Sequence, residues 1–333
     1  MFRMLTLVGV VFAMCGSVAG PAKGKGAGGL AHVLSGMQKE SSMVLDDVAS
    51  PYNVTADYIV DSGKELVVKP GVTLVFAKNA GITVRGALKL EGAAGSPIAC
   101  KGKVSGVGTW QGIKFCPKAK ASIEWVSVSG AKVAFRLEEE VTIRKSNVSG
   151  NRTGIESESG AVTLEDCYVC ENGGNAISTC GKLKMVHCTI AGNQGNGIYG
   201  RGDWNVQDSI LKGNGNCGID CTVGTVTAKN SAIAENKKFD VRNGCGLLWD
   251  CKCNYWGAAA TRKLASKDGS FNQRLGCGGK GALLANKIGS ANLPGIYDRR
   301  DNRKLGDVFI SDWLDEMPAG CGAREYPVAP AKK

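Results

Sequence analysis

Asparagines at positions 151, 172, 193, 214 and 236 recur at intervals of 21, 21, 21 and 22 residues. A fixed period of this length constrains the fold more than any other feature. One such unit cannot bury its own apolar face, so equivalent units must stack. Three residues before each asparagine stands an aliphatic residue: Val148, Val169, Ile190, Leu211 and Ile233. Four or five residues after it stands another: Ile155, Ile177, Ile198, Ile219 and Val241. Further ahead lie the pairs Val141/Ile143, Val162/Leu164, Leu183/Met185, Trp204/Val206 and Val226/Ala228.

Within each unit the apolar period is two, and Gly and Asn interrupt it several times, as in VTIRKSNVSGNRTGI and VTLEDCYVCENGGNAI. Period two marks strands and the breakers mark turns. A helical solenoid would need a longer period, and a leucine-rich repeat would need Leu at fixed offsets. The sequence therefore predicts an all-β chain: a right-handed parallel β-helix, a single-stranded solenoid whose equivalent residues lie about 4.8 Å apart. Residues 51–257 are expected to form the β-helix. Residues 20–50 are expected to form a linker and N-terminal cap, in which Leu30, Val33, Leu34 and Met37 share one face of a short capping helix. Such a cap would cover the unpaired backbone of the first coil. Residues 258–333 are expected to be an irregular, loop-rich C-terminal capping segment.

The first nineteen residues have the form of an export signal: Arg3, an apolar run from Leu5 to Met14, then Ser17-Val18-Ala19 at a cleavage site. Cys15 does not fit a lipoprotein box, because Phe12 and Met14 occupy positions that favour an aliphatic and a small residue. The expected location is secreted, periplasmic or on the cell surface, with no membrane span in the mature chain. Fourteen cysteines are many for an exported protein, and disulfides are expected. Cys217 with Cys221, Cys221 with Cys245, and Cys100 with Cys116 are candidate pairs, while Cys167 and Cys188, at one position of adjacent coils, read equally as a bridge or as two buried thiols. A net charge of +11 suggests attraction to polyanions, but the excess is spread rather than clustered, which favours a solvated surface with a mild basic bias.

Several segments carry a resemblance. PGVTLVFAKNAGITVRGALKLEG, SPIAC and TWQGIKF, the Asn/Gly coils, Asn254-Tyr255-Trp256-Gly257 and GIYDRRDNRKLGDVFISDWL resemble bacterial secreted right-handed β-helix repeat proteins of the pectin-lyase-like superfamily. The resemblance spans roughly residues 50–317. It implies an exported protein with a carbohydrate-related role, without implying a reaction. The stretch 258–294, with Cys277, departs from the compact ending of that family.

Three groups of residues invite a chemical reading. The first is the row Lys145, Asp166, His187, Asp208, Asn230, in which stacking would place His187 between two carboxylates and activate it as a general base. Asp166, His187 and Asp208 are thus the catalytic candidates. The competing reading is a turn, since Asp, Asn and His tolerate a left-handed backbone best among residues other than glycine. The second is the asparagine column, suggestive of sugar binding but read as structural, because stacked asparagines satisfy each other's amides. The third is the outward pair of rows: Thr142, Thr163, Lys184, Asn205, Thr227, and beside it Arg144, Glu165, Val186, Gln207, Lys229. Arg144, Lys184 and Lys229 are the binding candidates, as cations facing carboxylate or sulfate groups, with an ordinary solvated face as the competing reading.

Cys167-x-x-Cys170 and Cys251-x-Cys253 suggest zinc only weakly, because four ligands must converge and strand alternation separates the first pair. No metal and no cofactor are expected. The coils carry none of the Asn-Thr-Asp, Asp-Asp, Gly-His-Gly or Arg-Ile-Lys signatures of galacturonan hydrolases. The residues favour a non-catalytic exported β-helix that binds acidic polysaccharide or cell-envelope glycan, or serves as an envelope component. The alternative is a polysaccharide lyase or glycoside hydrolase acting on acidic glycans. Nucleic acid is not an expected partner, and the oligomeric state is not legible.

Overall fold

Three short strands per coil, separated by tight turns, wind the chain into a stack of parallel sheets. The computed structural model describes residues 32–265, 293, 295–298, 301–310 and 314–324. The signal segment 1–19, the linker 20–29 and Cys277 lie outside the described residues. The first sheet has eleven strands, among them Val141–Arg144, Val162–Glu165, Leu183–Val186 and Trp204–Gln207. The second holds Asn147–Ser149, Tyr168–Cys170, Thr189–Ala191 and Ile210–Lys212, and the third holds Thr153–Ser157, Ile177–Thr179, Ile198–Arg201 and Ile219–Val223. Second and third sheets are joined near the start, where the single strand Tyr52–Val60 pairs in both. Every coil returns to the same sheet by a parallel crossover, a connection that is right-handed for a twisted strand. The fold is a right-handed parallel β-helix.

Register follows the sequence period. Val141 pairs with Val162, Val162 with Leu183, Leu183 with Trp204 and Trp204 with Val226. These residues fill the interior with Ile143, Leu164, Met185, Val206 and Ala228, all buried. Two interior tryptophans meet their polar requirement on backbone: Trp110 Nε1 donates to Ser129 O at 2.8 Å, and Trp249 Nε1 to Gly224 O at 3.0 Å.

The asparagine column is a continuous chain of amide bonds. Nδ2 of Asn151 donates to Oδ1 of Asn172 at 3.2 Å; the same bond links Asn172 to Asn193, Asn193 to Asn214 and Asn214 to Asn236, each at 2.9 Å. Each amide also caps backbone carbonyls inside the turn, as Asn193 Nδ2 does to Val169 O and Ala191 O. The column is structural. Its last member, Asn236, donates to Asp240 Oδ1 at 2.9 Å.

The N-terminal cap differs from expectation. Residues 33–37 form a strand, Val33–Met37, rather than a helix, and pair in parallel with Tyr52–Val60. Gly36 at φ +70° is incompatible with a helix interior, and only Leu34 of the described apolar residues on the expected face is buried. The open edge of the next coil offers backbone groups that a helix could not satisfy: Asn53 N–H donates to His32 O at 2.7 Å, and Gln38 N–H to Ile59 O at 2.9 Å. The stack also runs further at the other end than the period suggests. Ile296–Tyr297 continues the third sheet and Val308–Phe309 the first, beyond a short helix at Ala258–Ala265. The chain between them breaks the period and hides these strands from a repeat search.

Candidate functional site

The row containing His187 sits at the corner between first and second sheets. Trp125, Lys145, Asp166, His187, Asp208 and Asn230 have φ of +53°, +47°, +54°, +52°, +48° and +50°. The left-handed backbone is what Asp, Asn and His are suited to, so the row is a column of turns. Stacking does bring Asp166, His187 and Asp208 onto successive coils, as the spacing requires.

What the spacing does not reveal is a strap across this corner. Residues 314–324 run against the direction of stacking, from the coil of Asn254 to that of Asp166. Leu314 N–H donates to Asn254 O at 3.0 Å, and Gly322 N–H to Asp208 O at 2.8 Å. Ala323 N–H donates to Thr189 Oγ1 at 3.0 Å, and its carbonyl accepts from the Tyr168 hydroxyl at 2.9 Å. Arg324 closes the strap with two bonds of 2.7 Å, from Nε and a terminal nitrogen to the two carboxylate oxygens of Asp166. These hydrogen bonds hold the Asp166 carboxyl below its ordinary range, with His187 adding a smaller electrostatic contribution. Burial pushes the Cys321 thiol up to about 11, with the Asp208 charge acting in the same direction. His187 Nδ1 is buried and has no hydrogen-bond partner among the described residues. Arg324, Tyr168, Thr189 and Cys321 were not candidates from sequence. Arg324 stands 158 residues from Asp166, and no periodic signal connects them.

The outward face of the first sheet has a different character. Thr142 pairs with Thr163, Thr163 with Lys184, Lys184 with Asn205 and Asn205 with Thr227, so one row of polar side chains crosses five coils. Lys184 is exposed and forms no ion pair among the described residues; Asn205 Oδ1 is buried without a hydrogen-bond partner there. The neighbouring row is largely neutralised: Arg144 pairs with Glu165 at 2.8 Å and Lys229 with Asp250 at 3.4 Å. Of the three candidate cations, only Lys184 faces solvent unpaired.

The sulfur chemistry is quiet. Ser146, Cys167, Cys188, Ser209 and Ser231 form one buried column, each donating to the carbonyl two residues earlier. Burial pushes the Cys188 thiol up, and Cys100, Cys221 and Cys251 are each raised to about 12 for the same reason. Such thiols are inert. No disulfide joins the described cysteines, so the candidate pairs are not bridged in this structure. No group of three or more metal-ligating side chains occurs among the described residues.

The family model described as a right handed beta helix region matches residues 112–255. No curated protein and no solved structure matches the chain.

Proposed function

We propose that this chain is an exported, non-catalytic β-helix that holds polysaccharide along the outer face of its first sheet. The observation that carries the reading is the row Thr142, Thr163, Lys184, Asn205, Thr227. It repeats hydroxyl, amide and ammonium groups at about 4.8 Å intervals. A regular row of short polar groups suits a linear sugar chain, whose hydroxyls repeat along its own axis. The alternative as a lyase or hydrolase draws less support, because Asp166 is engaged through both oxygens by Arg324. A carboxylate so held is a poor partner for activating His187. The export part of the reading comes from the N-terminal sequence alone.

The test is incubation of the purified protein with pectate, alginate and chondroitin. Retention of glycan is expected, with no unsaturated uronate absorbance and no new reducing ends. Lys184→Ala should weaken retention several-fold. Turnover that disappears in His187→Ala would replace this reading with the enzymatic one.

A further inference from the structure

A second surface carries a run of cations with no acid beside them in the sequence. At the corner between second and third sheets, successive coils place Lys78, Lys101 with Lys103, Lys132, and Arg152. Residues 77–80, 101–111, 129–132 and 149–152, which build this corner, contain no Asp or Glu. Lys78, Lys101, Lys103 and Arg152 are exposed and Lys132 is half-buried. None of the five has an ion pair among the described residues. On the sheet faces Lys184 has no ion pair among the described residues, but acids accompany other cations: Lys69, Lys89, Lys114, Arg136, Arg144 and Lys229 each have one within 3.4 Å.

The corner is a built surface. Backbone bonds fix its coils one above another: Asn79 N–H to Thr109 O at 3.0 Å, Lys103 N–H to Phe76 O at 2.7 Å, Lys132 N–H to Trp110 O at 2.7 Å and Arg152 N–H to Ala131 O at 2.8 Å. Trp110 stacks on Phe76 with ring centroids 3.8 Å apart and pins the loop 103–109. A methyl group on Gly108 would lie 3.7 Å from Lys132 Cγ and 3.8 Å from Arg152 Cβ, so the loop spans both side chains. Five cations carried by four successive coils form a ridge with uncompensated charge. Self-repulsion disfavours such a ridge unless anions neutralise it.

We propose that this ridge binds a linear anionic polysaccharide, its carboxylate or sulfate groups meeting successive cations. The choice of a polysaccharide rests on the glycan-binding reading above. It also follows from the ridge itself: its aromatic residue, Trp110, is fully buried, so no ring is presented for nucleobases to stack on.

The experiment uses the full chain and four probes: heparin, polygalacturonate, neutral xylan and single-stranded DNA. Two triple variants remove the same charge, Lys101→Ala/Lys103→Ala/Arg152→Ala at the ridge and Arg144→Ala/Lys184→Ala/Lys229→Ala on the first sheet. Circular dichroism checks that both fold. Heparin or polygalacturonate should bind the wild type in a salt-sensitive way. The ridge variant should lose about tenfold or more in affinity, the sheet variant clearly less. Equal losses would mean net charge alone is read, and would overturn the proposal. So would unchanged binding by the ridge variant, which leaves the wider glycan reading intact. Retention of xylan with no affinity for either polyanion also overturns the ridge alone. Preference for DNA through the same three residues overturns ridge and glycan reading together.

Discussion

His187 shows how one residue type can satisfy two unrelated requirements. Its place between Asp166 and Asp208 resembles a general base flanked by carboxylates, but its φ of +52° explains its presence without chemistry. Holding a branched residue in that region costs about 1–3 kcal/mol. His187→Val should therefore destabilise the protein by that amount in urea unfolding, while His187→Asn stays near wild type. Nδ1 has no partner to lose, so the asparagine variant forfeits no hydrogen bond at that atom. Glycan retention should survive in His187→Asn. Equal stability of the two variants would remove the backbone as the reason for this residue. Asp, Asn and His serve turns as well as catalysis, so residue type favours the turn here and the backbone angles decide it. The asparagine column was easier to settle, because its amides find each other at the predicted period.

At the scale of an element, that column ends in an unusual way. Asn151 to Asn236 pass amide bonds from coil to coil, and the last donors, Asn236 N–H and Nδ2, meet a carboxylate, Asp240, at 3.1 and 2.9 Å. Burial raises the Asp240 pKa from 3.8 to about 6, only partly opposed by the Asn236 hydrogen bonds. The folded state then holds its proton more tightly than the unfolded chain. Between pH 3.8 and about 6 the native form binds more protons, so this residue's contribution to stability falls as pH rises through that window. Above it, the charged side chain costs up to about 3 kcal/mol. Asp240→Asn keeps an acceptor for Asn236 and removes the charge. It should be more stable than wild type by urea unfolding at pH 8, with the gap closing at pH 4. A gap independent of pH would show that Asp240 is not the titrating group. The N-terminal strand belongs to this scale too. Leu30, Val33, Leu34 and Met37 have helical spacing, but the exposed backbone of the next coil decides the structure of 33–37, and no local pattern records it.

For the whole molecule, period and strap make separable demands. Between residues 141 and 241 the interior rows, turn column and asparagine column all repeat every 21 or 22 residues, and for that reason they were legible. The strap runs along the stack, crosses coils once, and repeats nothing; its anchors could not be read from spacing. Deletions of one coil distinguish the two. Removing residues 142–162 joins Val141 to Thr163, keeps every column in register and leaves the strap's anchors in place. Removing 184–204 also keeps register, joining Leu183 to Asn205, but takes out Thr189 and brings Asp208 one coil, about 4.8 Å, closer to Asp166. A strap still held at Asn254 and Asp208 then carries Arg324 past its carboxylate, too far for bonds of 2.7 Å. Both chains should fold, because a solenoid loses stability roughly one repeat at a time. Removing 143–162 instead shifts the strand by one residue, turns Leu164 outward and should abolish cooperative unfolding. Arg324→Ala serves as the probe in each background. It should cost about 1–3 kcal/mol in wild type and in the 142–162 deletion, where it strands a buried carboxylate. In the 184–204 deletion the cost should vanish, since the pair is already parted. The difference is a coupling energy between one arginine and the number of coils beneath it. A cost that persists there would mean the strap slides to keep Asp166, and that Arg324 rather than the upper anchors sets its position.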